Sequence, residues 1–209
     1  MAQGLKNPGR QDRAGWPRPL RALDKGERAG QGRGMSFVAT LRAATAIDHE
    51  RVDAAFGAMR LDERDDYRRM LTAHARAVPG VEAVLARADP AWGLPAWTPR
   101  TPLLVSDLTA LDVGMPDPLP FELPSREAAT WGALYVAEGS RLGGQVLARG
   151  IAAGLPHAYL SARHAPGAWR ALLASLDARA AAAVPAWREG VVDGAKATFA
   201  LFMAAHAKR

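Results

Sequence analysis

Residues 135–147 read Tyr-Val-Ala-Glu-Gly-Ser-Arg-Leu-Gly-Gly-Gln-Val-Leu. The flanks are rich in Ala, Leu and Val and have the composition of a helix, yet Gly139, Gly143 and Gly144 stand in the middle. Each glycine costs a helix interior about 1 kcal/mol relative to alanine. A helix that keeps three of them uses its bare backbone, either against another helix or against a flat ligand. Gly139 and Gly143 are four apart and share a face with Tyr135 and Val146, while Gly144 follows Ser140 by one turn. The missing side chains open a shallow trough, and glycines also permit a kink that frees backbone groups for water. Small residues at this spacing equally serve close helix packing. A phosphate loop does not fit, because these glycines lie within a helix instead of preceding one.

The pattern elsewhere is helical almost throughout from Ser36 onward. Ser36 is placed to cap a helix running to about Met59. A second helix is expected over Leu61 to Val78, interrupted by Pro79-Gly80, and a short third over Val81 to Ala88. Asp89 to Thr101 carries three prolines and reads as loop. Pro102 to Leu111 reads as helix and Met115 to Pro124 as a proline-rich connector. Ser125 then caps a long helix to about Ala153, and Gly154 to Gly167 is mostly loop. Two last helices cover about Ala168 to Ala183 and Ala186 to His206. With no alternating strand pattern and no repeat, the expectation is an all-α, single-domain helical bundle over residues 35–209.

The net charge of +6 suggests a nucleic-acid binder until it is divided along the chain. Of 27 Lys/Arg and 21 Asp/Glu, residues 1–34 hold eight and three, leaving 19 and 18 for residues 35–209. The basicity therefore belongs to the Gly/Arg/Pro-rich extension, which has no apolar periodicity with which to offset its ordering entropy. It reads as a disordered extension or as sequence ahead of a start at Met35; a basic arm touching nucleic acid is the alternative. No nucleic-acid partner is expected for the folded part. Neither a signal peptide nor a membrane span is visible, so the expected location is cytoplasmic. The absence of cysteine excludes disulfides, thiolate catalysis and Cys-ligated metals. Any metal must rest on carboxylates or on the five histidines.

In the first helix, Phe37, Leu41, Thr45, Val52 and Phe56 form one stripe. His49 stands at its edge, with Arg42 seven residues before and Asp53 four after, on the same flank. A neutral imidazole binds iron through one nitrogen, while a carboxylate on the other N–H fixes the tautomer and raises ligand basicity. An arginine at the rim can pair with an anionic group. The bland alternative is a half-exposed, hydrogen-bonded histidine. Asp48 falls inside the apolar stripe with no sequence-level account. His74, His157, His164 and His206 are weaker candidates, and no multi-His spacing is present.

Three segments together resemble the heme oxygenase family. Leu41-Arg42-Ala43-Ala44-Thr45-Ala46-Ile47-Asp48-His49 is similar to the proximal helix of that family. Gly139-Ser140-Arg141-Leu142-Gly143-Gly144-Gln145-Val146-Leu147 is similar to its distal helix, and Ala195-Lys196-Ala197-Thr198-Phe199 to its last helix. The likeness runs from about Phe37 to Ala205, and the order and separation of the two main motifs make it specific. The resemblance implies a heme oxygenase-like fold with heme as cofactor and substrate. His49 would be the proximal iron ligand, Asp53 its supporting carboxylate in place of the more usual Glu, and Arg42 a propionate partner. Arg170 would be a second propionate partner, Tyr135 a further propionate contact and Phe199 a wall of the pocket. Gly139, Gly143 and Gly144 would let the distal helix lie close over the heme. Gly139, Ser140 and Gly143 would line the place where oxygen reacts.

The resemblance departs from the family at Ser140, where many members carry Asp to organise water; the bacterial phytochrome-associated branch is closer to this chain there. A serine donates and accepts hydrogen bonds but anchors a proton relay less well than a carboxylate. The implied reaction is oxidative opening of heme to biliverdin with release of CO and ferrous iron. It consumes O2 and electrons from an external reductant such as a ferredoxin or a reductase, and a biliverdin-dependent phytochrome is an implied product acceptor. Two other readings use the same residues. One is a heme-binding or heme-sensing protein of the same fold without turnover, which Ser140 keeps open. The other is a cofactor-free helical interaction module, in which the glycines are packing and His49 is incidental.

Overall fold

A computed structural model of the chain describes residues 36–123 and 127–208. The basic extension and the expected cap Ser125 lie outside the described residues. Among the described residues the structure is all-α, with no strand. Its helices are α1 Phe37–Ala44, α2 Ala46–Gly57, α3 Arg64–Ala86, α4 Thr101–Ala110, α5 Glu127–Leu147, α6 Ala158–Ser161, α7 Ala168–Ala181 and α8 Pro185–Ala207. Two short 3-10 turns, Pro90–Trp92 and Ala148–Gly150, complete the elements. No helix among them is long and apolar enough to cross a membrane.

The packing is organised around α5 and α8, which make the most extensive contact in the molecule. Their backbones meet at glycines. A Cβ on Gly132 would overlap the carbonyl oxygen of Val191 and lie 2.6 Å from the Ala195 nitrogen. A Cβ on Gly194 would overlap the Ala129 carbonyl oxygen and lie 2.5 Å from the Ala129 Cα. Around this crossing α3 packs on α4, α8 and α5, α2 lies on α8, and α1 bridges α7 and α8. Trp131, Tyr67, Tyr159 and Phe56 are the largest fully buried side chains between them.

The first helix begins as expected: the Ser36 hydroxyl accepts a hydrogen bond from Ala39 N at 3.2 Å. It does not run unbroken to Met59. At Thr45 the backbone opens to φ −109°, ψ 4°, and the buried hydroxyl donates to Leu41 O at 2.9 Å. Such back-bonding by threonine loosens a helical turn. His49 N then donates to Thr45 O at 3.0 Å, so α2 restarts one turn before the histidine. The stripe is otherwise as read, with Leu41, Thr45, Val52 and Phe56 buried.

Pro79-Gly80 does not interrupt the second helix, because α3 carries Pro79 in its interior. Proline removes the amide that would serve Ala75 O and strains the preceding turn, yet the helix continues with the connector bound beside it. Leu119 N donates to Arg76 O at 2.8 Å. A Cβ on Gly80 would come 3.1 Å from Phe121 Cβ and 3.3 Å from Leu119 O. The Pro-Gly pair is thus the seat of the connector. The long glycine-bearing helix ends at Leu147, short of Ala153, and tightens into Ala148–Gly150. The expected loop before α7 contains α6, whose first two amides, of Ala158 and Tyr159, are accepted by the buried Asp107 carboxylate of α4 at 3.1 and 2.9 Å.

Gly132→Ala and Gly194→Ala each force the two central backbones apart. A loss of about 1–3 kcal/mol is expected for each, the cost of overpacking a core. Gly150→Ala, with nothing near its missing Cβ, should leave stability near the parent value. Urea denaturation of the three variants checks the contrast, and equal midpoints would contradict the crossing.

Candidate functional site

The α2 flank is assembled as the spacing requires. His49 Nδ1 lies 3.0 Å from Asp53 Oδ2, with side chains 27% and 18% exposed. Burial raises the Asp53 carboxyl above its ordinary range, while the hydrogen bond and charge of His49 pull it back and Glu50 adds to the rise. The carboxylate on Nδ1 leaves Nε2 as the nitrogen available to a ligand. The imidazole stands edge-on to Phe199 of α8, with ring centroids 5.8 Å apart and planes at 79°. Asp48 is half-buried and turned toward Arg51, 3.6 Å away. Among the described residues no group of three or more His, Asp or Glu is placed to hold a metal ion.

Arg42 of α1 reaches Tyr135 of α5 and hydrogen-bonds its side chain. Burial raises the Tyr135 hydroxyl, against the pull of the Arg42 charge and hydrogen bond. Arg42 thereby joins the flank that carries His49 to the helix that carries the glycines. Tyr135 in turn faces Trp169 of α7, with rings 5.7 Å apart and 30° between planes. Trp169 lies beside His164 at 5.9 Å and 33°. The far edge of the Trp169 ring fills the trough at Gly139, where a Cβ would sit 3.4 Å from it. Arg42 Nε and Trp169 Nε1 are buried without a hydrogen-bond partner among the described residues. Each is a buried donor open to an acceptor.

The three glycines separate in the structure. Gly139 faces Trp169, and Gly143 is buried within α5. Gly144 serves packing: its missing Cβ would sit 3.1 Å from the Leu160 carbonyl of α6. Ser140 does not present a free hydroxyl. It donates to Ala137 O at 2.7 Å and accepts from Arg100 Nη2 at 2.7 Å. Arg170 is exposed on the first turn of α7, next to Trp169.

Sequence reasoning missed Arg100, Trp169 and the Glu138–Arg141–His164 cluster. Arg141 donates through Nη2 to Glu138 Oε1 at 3.0 Å and to Thr98 O at 2.8 Å. His164 Nε2 lies 3.0 Å from Glu138 Oε2. Burial alone would raise the Glu138 carboxyl, but His164 and Arg141 together hold it below its ordinary range. The available signal was Glu138-x-x-Arg141 at i, i+3 inside an apolar helix. The other histidines are structural. His74 is buried against Phe56 and Phe202, with Nδ1 2.8 Å from the Tyr159 hydroxyl. Burial and the Arg100 charge push it down to about 3, so it is neutral. His206 packs on Phe56, and His157 pairs with Ser161.

No family model matches the chain. A relative named heme oxygenase, from Xanthomonas campestris pv. campestris (strain 8004), is 36% identical over 155 residues, which are 67% of this chain and 88% of the relative. Among solved structures, the NO- and CO-bound heme oxygenase from Neisseria meningitidis matches with a TM-score of 0.65 over 83% of this chain and 91% of that one. Its identity is 21%, so this second likeness speaks for the fold.

Glu138→Gln removes a carboxylate that the folded state holds ionised. The folded pKa is depressed, so its contribution is present above the unfolded value, about 4.3, and is lost as pH falls through the folded one. The variant should be less stable than the parent at pH 7, with the deficit closing below about pH 4. Denaturant midpoints at both pH values measure it, and a deficit of equal size at both would refute the charge assignment.

Proposed function

Because the chain belongs to the heme oxygenase family, we propose that the Arg42–His49–Asp53 flank and the glycine face of α5 form its heme site, and that ring opening there yields biliverdin, CO and ferrous iron. Heme degradation is the function of the chain. The finer assignment rests above all on one observation: His49 offers a free Nε2 while Asp53 holds Nδ1 at 3.0 Å. A lone histidine, with no second ligating group clustered near it among the described residues, holds iron well only when the iron brings its own equatorial nitrogens. The other groups fit the same substrate. Among the described residues Arg42 Nε and Trp169 Nε1 are buried donors lacking an acceptor, and the propionates of heme are carboxylates. Gly139 presents bare backbone beside the Trp169 indole, which leaves a flat ring room to share that face.

Heme supplies the redox chemistry once bound, and this chain's residues set its surroundings. His49 ligates and Asp53 orients the imidazole, raising its basicity as outer-shell carboxylates do. Phe199 excludes water on the same side. Arg42, Tyr135 and the exposed Arg170 bind and orient propionates. Gly139 and Gly143 bring the α5 backbone close to the substrate. Gly144 keeps its place in the site through the packing of α5 on α6. Ser140 holds a proton-bearing hydroxyl at the edge of that face. Oxygen and an external reductant, such as a ferredoxin or reductase, complete the reaction in the cytoplasm, with a biliverdin-dependent phytochrome as a product acceptor. Residues 1–34 act as an extension to the 35–209 domain that turnover does not need.

Hemin titration followed by the Soret band tests the assignment. His49→Ala should abolish the histidine-ligated spectrum, and Asp53→Asn should weaken affinity or turnover by roughly 10–100-fold. Removing residues 1–34 should leave both unchanged. A parent-like ferric spectrum in His49→Ala would remove His49 from the role. Binding without a biliverdin spectrum on reduction in air would favour a heme-sensing protein over an enzyme.

A further inference from the structure

Resting on the heme-facing reading of α5, we propose that Arg100 is a positioning residue for the reaction: it fixes the Ser140 hydroxyl and places a permanent positive charge beside the reacting face. Arg100 precedes α4 and is 4% exposed. Its Nη2 donates to Ser140 Oγ at 2.7 Å and to Ala137 O at 2.9 Å. Its guanidinium carbon lies 5.0 Å over the Tyr159 ring. All of these partners are neutral. Among the described residues each nearby carboxylate is engaged elsewhere. Glu82 of α3 accepts the backbone amides of Arg100 and Thr101 and the Thr101 hydroxyl. Asp107 of α4 caps α6. Glu138 of α5 is taken by Arg141 and His164. The remaining titratable neighbours are His74, which is neutral, and Tyr159, whose hydroxyl burial raises further still.

Keeping a buried cation without a carboxylate partner is costly. The cation–π contact and two hydrogen bonds offset part of that cost, and the charge itself remains. It bears on Ser140 in two ways. The Ser140 proton is directed to Ala137 O, and one lone pair is filled by Arg100, so the remaining lone pair can only accept. A water there is held hydrogen-first, with its oxygen outward. The guanidinium charge contributes a fixed field favouring electron-rich groups on that face.

The test uses the full chain loaded with hemin. Arg100→Met removes the charge, and Ser140→Asp sets a carboxylate against it; both should act in the same direction. In each, the pH at which ferric heme changes from its acid to its alkaline spectrum should rise, and the C–O stretch of the ferrous CO complex should move to higher frequency. Arg100→Lys should lie between parent and Arg100→Met. Turnover in Arg100→Met should fall by about 10-fold, as for loss of an outer-shell partner. If Arg100 merely ties its loop to α5, Arg100→Met lowers thermal stability and leaves both spectroscopic readings at parent values, which overturns the proposal. Should Arg100→Met fail to fold, Ser140→Asp decides by the same readings. A parent protein that binds no hemin defeats the heme-site reading and this inference together, whereas binding with unmoved readings defeats this inference alone.

Discussion

The relative position of the α5 glycine face and of Phe199 on α8 follows from the backbone crossing of these two helices. Gly132 and Gly194 let the two helices approach until a Cβ on either would overlap main-chain atoms of the other. Each helix then carries its own functional residue away from that fixed point. Gly132 and Gly139 are seven apart, close to two turns, so they share a stripe. That stripe meets α8 at one level and Trp169 two turns later. On α8, Ala195 lies at the crossing and Phe199 one turn on, against His49. Helix packing and the contact with Trp169 are therefore successive uses of one bare stripe. The crossing sets the level at which α8 brings Phe199 to His49.

Electrostatic order around α5 reinforces this frame. The helix sends three kinds of side chain into its surroundings. Glu138 and Arg141, i and i+3, pair with each other and reach out to His164 and Thr98. Ser140 turns its proton back onto its own helix. Glu127 at the first turn binds Arg179 of α7 and the indole of Trp187 of α8. Buried charge is costly unless paired or hydrogen-bonded, and these pairings tie α5 to α7, α8 and the loops before α4 and α7. The His164–Glu138 pairing also holds the loop before α7, on whose first turn Trp169 faces Gly139.

Much of this was legible because it rests on short-range spacing. His49 and Asp53 are i, i+4 on one helix, and the pair forms although the helix breaks at Thr45, since the break lies one turn before His49. The glycines at 139, 143 and 144 announced bare backbone, but spacing alone could not assign their neighbours. Gly144 turned out to face Leu160, and the most demanding glycines, Gly132 and Gly194, drew no notice in their alanine-rich stretches. Pro79-Gly80 misled because a proline ends a helix only where nothing holds the turns on either side; here the connector, forty residues downstream, is bound to that turn through Leu119 N and Arg76 O. Arg100 was invisible for the same kind of reason. Its partners Ala137, Ser140 and Tyr159 are nonlocal, and a lone arginine after a proline-rich loop resembles any surface residue.

The wall formed by Tyr135, Trp169 and His164 shows how these local arrangements orient a substrate. The stack is anchored at one end by the Arg42 cation and at the other by the Glu138 carboxylate. Trp169 sits between them with its Nε1 unsatisfied. Arg141 balances the Glu138 charge at one end of this wall, so Arg42 supplies the uncompensated sign at the other. In the proposed heme site a carboxylate is drawn toward Arg42, and that attraction strengthens where water is excluded.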